Sequence, residues 1–153
     1  MASKTPKGFT LLELLIAIAI ALILASGIFA AYEKFNRRER VRQAAATLKN
    51  NLRFAQSKAI NGQKPESGCT QLAGYTVTFA QSSYTIAAQC TQGTAGSITS
   101  VTLPISVVFL SSPPPITFAV LNGTLLADAT LTVTDGSNSL TVVVKRSGDI
   151  NEL

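Results

Sequence analysis

Three regimes of apolar and polar positions follow one another along the chain. Residues 14–32 form a run of nineteen without a charge, LLIAIAIALILASGIFAAY, apolar on every side of a helix. At ~1.5 Å per residue, a helix of that length crosses the hydrocarbon core of a bilayer. Past Tyr32 the pattern narrows. Val41, Ala45, Leu48, Leu52, Ala55 and Ala59 recur at spacings of four and three, with Arg42, Lys49, Arg53 and Gln56 off that stripe. One helix from Phe9 to about Asn61 is therefore predicted, spanning in its first half and amphipathic in its second, its stripe packed on a sheet. Gly62 ends it, and residues 63–68 are a polar loop with Pro65.

After Cys69 the sequence turns to strand character. YTVTF at 75–79 and YTIA at 84–87 flank a short Ser-rich turn, which predicts a hairpin whose second strand ends near Cys90. Residues 91–100, rich in Gly, Ser and Thr, read as a surface loop. Residues 101–110 are strand-like around Pro104, and Pro113-Pro114-Pro115 forbids regular ladder pairing. ITFAVL at 116–121 meets Asn122-Gly123, a pair suited to a two-residue turn with positive φ at both positions. LTVT at 131–134 and LTVVV at 140–144 are joined by DGSN. The expected fold class is α+β, a long N-terminal α-helix packed on an antiparallel sheet of about six strands.

Composition trims the list of functions. The 153 residues carry 13 basic and 8 acidic side chains, a net +5, but from Ala59 onward there are only three basic residues against five acidic ones. The high overall charge is thus no argument that the head binds nucleic acid. A basic cluster, Lys34, Arg37, Arg38, Arg40 and Arg42, follows the apolar run, yet no aromatic residues alternate with its arginines as stacking platforms. Nucleic acid is not an expected partner. Histidine is absent, which removes the commonest metal ligand and the usual base of Ser and Cys hydrolases. No phosphate-cradling glycine loop, metal cluster or triad stands out, and Asp128, Asp135, Asp149 and Glu152 sit in or near turns. No enzyme activity, cofactor or metal is expected. Two cysteines remain, Cys69 and Cys90. In an exported domain such a pair forms a disulfide, and in a cytosolic one it stays reduced.

One acid interrupts the start of the apolar stretch. Glu13 sits where an isolated carboxylate in hydrocarbon costs several kcal/mol and usually marks a functional site with a partner. Two ordinary alternatives exist for this N-terminus. A secretory signal peptide would use Lys4 and Lys7 with an Ala-x-Ala site at 17–19 or 19–21, and a plain anchor would not be cut at all. Against the first stand Glu13 and the unbroken run past both sites.

The stretch Lys7-Gly8-Phe9-Thr10-Leu11-Leu12-Glu13, followed by a long apolar helix, resembles the class III signal of type IV pilins and type II secretion pseudopilins. The resemblance implies a leader at 1–8, cut by a prepilin peptidase between Gly8 and Phe9, with methylation of the new Phe9 amine. It implies that Glu13 pairs with the N-terminal amine of a neighbouring subunit. Opposite charge compensates a desolvated carboxylate, and a methylated amine still carries a proton, so the pairing is physically sound. Many pilins carry a helix-loosening proline hereabouts; this chain has none, which leaves Ser26-Gly27 as the one place to loosen.

The head is similar to GspH/FimT-type minor pseudopilins through LRFAQSKAI at 52–60, the Ile-x-Phe strand ending in Gly123, and a terminal strand followed by Ser147-Gly148. In DNA-receptor members that glycine is followed by basic residues; here Asp149-Ile150-Asn151-Glu152 follow, which argues against DNA uptake. The implied organisation is leader 1–8, transmembrane helix 9–32, amphipathic helix 33–61 and β-rich periplasmic domain 62–153. The implied partners are the prepilin peptidase and methylase, other pilin or pseudopilin subunits, an inner-membrane assembly platform and inner-membrane lipid. The positive-inside rule, applied to the 34–42 cluster alone, would reverse this topology. A cytoplasmic cleavage site and an oxidising compartment for the cysteines resolve it, with the N-terminus cytoplasmic. The expected role is a structural subunit of a type II secretion pseudopilus. A type IV pilus subunit is the second reading and a membrane-anchored binding domain without a filament the third.

Overall fold

The structure is a computed structural model that describes residues 8–153; the side chains of 25–30 and 94–98 lie outside the described residues, as does the expected leader up to residue 7. It divides into two units, Met1–Asn36 and Arg37–Leu153. Helix α1 (Leu11–Ile60) supplies the helical part of both.

The start and stop of α1 follow from local chemistry. Thr10 is the N-cap: its Oγ1 accepts from the Glu13 N–H at 3.2 Å, and its carbonyl from the Leu14 N–H. At the other end Gly62, at φ +59°, donates to the Ala59 carbonyl while Gln63 donates to that of Lys58. This is the paired bonding of a Schellman cap, which needs the left-handed conformation that glycine adopts without strain. The backbone is helical through Ser26-Gly27.

In the second unit the expected stripe is the core. Val41, Ala45, Leu48, Leu52, Ala55 and Ala59 are all buried, together with Ala44, in one cluster with Tyr75, Val77, Tyr84, Phe118, Leu131 and Val142. The small alanines let strand side chains approach the helix closely. Among the described residues the head has eight strands in two four-stranded sheets, in place of the single sheet of about six that the pattern suggested. The first sheet is ordered β3-β2-β1-β5, from β1 (Leu72–Phe79), β2 (Ser83–Cys90), β3 (Gly93–Thr102) and β5 (Ile116–Ala119). The second is ordered β4-β6-β7-β8, from β4 (Val108–Phe109), β6 (Ala129–Thr134), β7 (Ser139–Val144) and β8 (Ile150–Glu152). All pairings are antiparallel.

Three expectations are corrected here. The 91–100 segment is mostly strand β3, because pairing along β2 supplies ladder bonds that its Gly-, Ser- and Thr-rich composition would not have favoured locally. Residues 101–110 hold only the end of β3 and the two-residue β4. The Asn122-Gly123 pair does not join neighbouring strands: β5 returns to β1, so the chain changes sheets after it. Positive φ falls at Leu121 and Gly123, while the Asn122 carboxamide oxygen accepts from the Thr124 N–H at 3.2 Å. The helix end sets this geometry, since the Leu121 N–H donates to the Ala59 carbonyl. The two hairpins β1–β2 and β6–β7 form where they were expected.

Polar side chains of α1 tie both sheets to it. Asn51 donates to the Tyr84 hydroxyl on β2 at 2.7 Å, and Arg53 to the Ile150 carbonyl on β8 at 3.4 Å. Burial pushes the Tyr84 phenol above its ordinary pKa, with the Asn51 donor pulling the other way.

Candidate functional site

At the N-terminus, Gly8 and Phe9 precede the helix and are exposed, Phe9 at 83%. A Cβ added to Gly8 would meet nothing within 4 Å, so the fold makes no steric demand for glycine there. A requirement for it must come from outside the chain. Glu13 follows one turn into α1, in the third helical position after Thr10. Thr10-Leu11-Leu12-Glu13 thereby fits the sequence pattern of a capping box, of which the Thr10 half is formed.

The apolar side chains that follow are uncovered by their own chain. Leu11 and Ile23 are each more than two-thirds exposed, and Leu14, Leu15, Ile16, Ile20 and Leu22 are all more than half exposed. A surface this large and apolar requires lipid or another protein against it. Among the described residues no helix is long and apolar enough to cross a membrane. The expected spanning segment, 9–32, includes 25–30, whose side chains lie outside the described residues.

In the head, Cys69 and Cys90 form a disulfide, with Cα atoms 5.6 Å apart. It joins the approach to β1 to the end of β2. The same region is fastened by Lys64, which donates to the Thr70 carbonyl at 2.7 Å, and by the Tyr75 hydroxyl, which donates to the Gln63 carbonyl.

Gln56 is the residue that periodicity alone undervalued. It lies off the apolar stripe, yet its amide donates to the Gly148 carbonyl at 2.7 Å and to the Gly123 carbonyl at 3.3 Å. The two glycines noted separately in the sequence, at the end of the Ile-x-Phe strand and after the terminal strand, thus meet over one helix side chain. Gly148 has φ +94°, and a Cβ there would stand 2.9 Å from the Gly123 carbonyl oxygen and closer still to the Gln56 amide. Gln56→Ala is expected to destabilise the protein by about 2 kcal/mol, since two buried carbonyls lose their donor. Urea denaturation followed by circular dichroism checks this.

Asp135 organises the β6–β7 turn. Its carboxylate accepts from the Asn138 N–H at 2.6 Å and the Ser137 N–H at 2.8 Å. The Asn138 backbone bond, with Asn138's side chain, Ser137 and the Arg37 charge behind it, holds its pKa below the ordinary carboxylate value. A depressed folded pKa contributes stability that is present above the unfolded value of about 3.9 and lost as pH falls through the folded one. Acid titration of the wild type against Asp135→Ala should therefore converge below about pH 4, with wild type the more stable above it. Asp128 is lowered likewise, first by the Arg146 N–H at 2.6 Å, and pairs with Lys145 at 3.5 Å on the surface. These acids do turn and tether work. Among the described residues no group of three or more Cys, Asp or Glu side chains is placed to hold a metal ion.

An apolar N-terminal helix that begins at a Gly-Phe-Thr-Leu-Leu-Glu motif and runs into an antiparallel β head defines a type IV pilin-like protein. The family model described as the prokaryotic N-terminal methylation motif matches residues 3–29, and that described as type II transport protein GspH matches residues 44–148. The second match covers more than half of the chain, which belongs to the GspH family of pilin-like minor pseudopilins. It is also similar to the competence protein ComGD of Bacillus subtilis (strain 168), with 41% identity over 58 residues, 38% of this chain and 41% of ComGD. The match thus spans less than half the length of that relative. No solved structure matches the chain.

Proposed function

We propose that the protein is a structural subunit of a type II secretion pseudopilus, stored in the inner membrane through residues 9–32 and added to a periplasmic filament that drives protein export. The observation that carries this reading is the GspH match along 44–148, which runs from the buried helix stripe to the Gln56–Gly148 junction. In this account a prepilin peptidase cuts after Gly8, whose exposure and freedom from steric demand suit recognition by another protein. Phe9 becomes the methylated N-terminus. Glu13 pairs with the Phe9 amine of a neighbouring subunit, and the exposed apolar face of α1 is covered first by lipid and then by other subunits. The N-terminus is cytoplasmic and the head periplasmic. The protein has no catalytic role and is itself a substrate of the peptidase and methylase.

The similarity to ComGD favours a second reading, a subunit of a competence-type pilus. A deletion strain separates the two. Loss of exported enzyme from the medium with surface pili and transformation intact supports the secretion role. Normal secretion with lost transformation supports the competence role. The mass of the mature N-terminus tests both against an uncleaved membrane-anchored domain.

A further inference from the structure

We infer that the groove between α1 and the β7–β8 end of the second sheet is a binding site for a phosphoethanolamine group, the zwitterionic headgroup of a phospholipid. The groove has a volume of about 530 Å³ and lies wholly within the unit Arg37–Leu153. Arg38 and Arg42 line its helical wall, four residues apart and hence on one face. The opposite wall holds Ser139, Leu140 and Glu152.

Strand register places the acid. Glu152 is directly opposite Val142 in the β7–β8 pairing, and cross-strand partners share a face of the sheet. Val142 is fully buried in the cluster under α1, so Glu152 projects on the same helix-facing side. Glu152 is half-buried there, where an opposite charge nearby favours a carboxylate. Yet among the described residues the one ion pair is Lys145–Asp128, on the surface elsewhere, and neither arginine of the groove makes one. Arg37, next in sequence, acts on Asp135 through its charge alone.

The groove therefore presents two unpaired guanidinium groups on one wall and one carboxylate on the other. A simple anion would satisfy the arginines and be repelled by Glu152. A simple cation would meet the reverse. A phosphodiester joined to an ammonium by two carbons answers both: guanidinium groups bind phosphate oxygens in bidentate fashion, and the ammonium reaches the carboxylate. Val41 and Leu140 supply apolar lining between the charges. The inference rests on the proposed membrane residence, since Arg38 comes six residues after the apolar run ends at Tyr32.

The test uses the full chain purified in mild detergent, with lipid retention read by native mass spectrometry. We expect one phosphatidylethanolamine retained per chain, about tenfold in preference to phosphatidylglycerol. Arg38→Gln combined with Arg42→Gln should abolish retention of both lipids. Glu152→Gln should invert the preference, and Lys49→Gln should change nothing. Circular dichroism confirms that each variant is folded. Competition by soluble glycerophosphoethanolamine would show that the free headgroup suffices, and its failure to compete would make the bilayer the source; either outcome supports the site. Displacement by inorganic phosphate at equal concentration overturns it, as does a preference that Glu152→Gln leaves unmoved. Crosslinking from position 139 to another subunit in filaments, in place of lipid retention, also overturns it. Filament incorporation is scored in parallel. Selective lipid retention by a chain that enters no filament would leave the groove standing and remove the proposed function.

Discussion

Glu13→Val is expected to be processed normally and to fall out of the filament, with incorporation reduced more than tenfold. Two roles for Glu13 compete, and the structure shows the setting of the first. The first is local. With Thr10 as N-cap and its Oγ1 on the Glu13 N–H, a carboxylate in the first turn stabilises the helix start by about 0.5–1 kcal/mol through capping and the helix dipole. The second is between subunits, the proposed pairing with a Phe9 amine. Removing one partner from a desolvated ion pair leaves the other charge uncompensated, which costs about 3–5 kcal/mol, well above the local term. Glu13→Gln tells them apart. It keeps a hydrogen-bond acceptor for the helix start but carries no charge. Incorporation of Glu13→Gln at the wild-type level, with loss in Glu13→Val, would assign the residue to capping. Loss in both, with the mature mass unchanged in each, supports the ion pair. Normal incorporation of Glu13→Val would discard the pairing altogether.

The parts of the fold that could be read from the sequence are those governed by periodicity or by adjacent turn chemistry. The buried stripe from Val41 to Ala59 repeats every three or four residues, and burial on one helix face leaves no other arrangement. The β6–β7 hairpin is written in DGSN, whose aspartate bonds the very N–H groups that close the turn. What escaped was non-local. The strand character of 93–102 resides in its neighbour β2, and nothing in a Gly- and Ser-rich segment announces which edge will recruit it. The change of sheets after β5 depends on Leu121 finding the helix end, a contact between residues sixty-two apart. Gln56 escaped for a related reason. A polar residue beside an apolar stripe looks solvated until two distant carbonyls, those of Gly123 and Gly148, arrive at its amide. The candidate site at the N-terminus is the reverse case, since a short motif within residues 3–29 carries the family match there. The Thr10 cap is legible there too, as a T-x-x-E pattern.

Replacing both cysteines, Cys69→Ala with Cys90→Ala, is expected to destabilise the head by about 3 kcal/mol. The bond spans 21 positions, and opening a loop of that size restores that much chain entropy to the unfolded state. Set against the 5–15 kcal/mol typical of a domain, the loss is large enough to populate unfolded protein at growth temperature. Its structural reach is local. Leu72 pairs with Cys90 in the β1–β2 register, so without the bond the open end of the hairpin is held by Lys64 on Thr70, the Tyr75 hydroxyl on Gln63, and Thr70 on the Gln92 side chain. Hydrogen exchange should accordingly rise first in 69–74 and 88–92, while β6 and β7 in the other sheet exchange as before until global unfolding. Urea titrations of the wild type in reducing and non-reducing buffer should reproduce the difference without mutation. Equal midpoints in the two buffers, with reduction verified by thiol labelling, would mean that hydrogen bonds alone hold the hairpin, and the case for an oxidising compartment would lose its energetic basis. A shift of the expected size would tie the stability of the head to the compartment in which it folds, as the proposed periplasmic role requires.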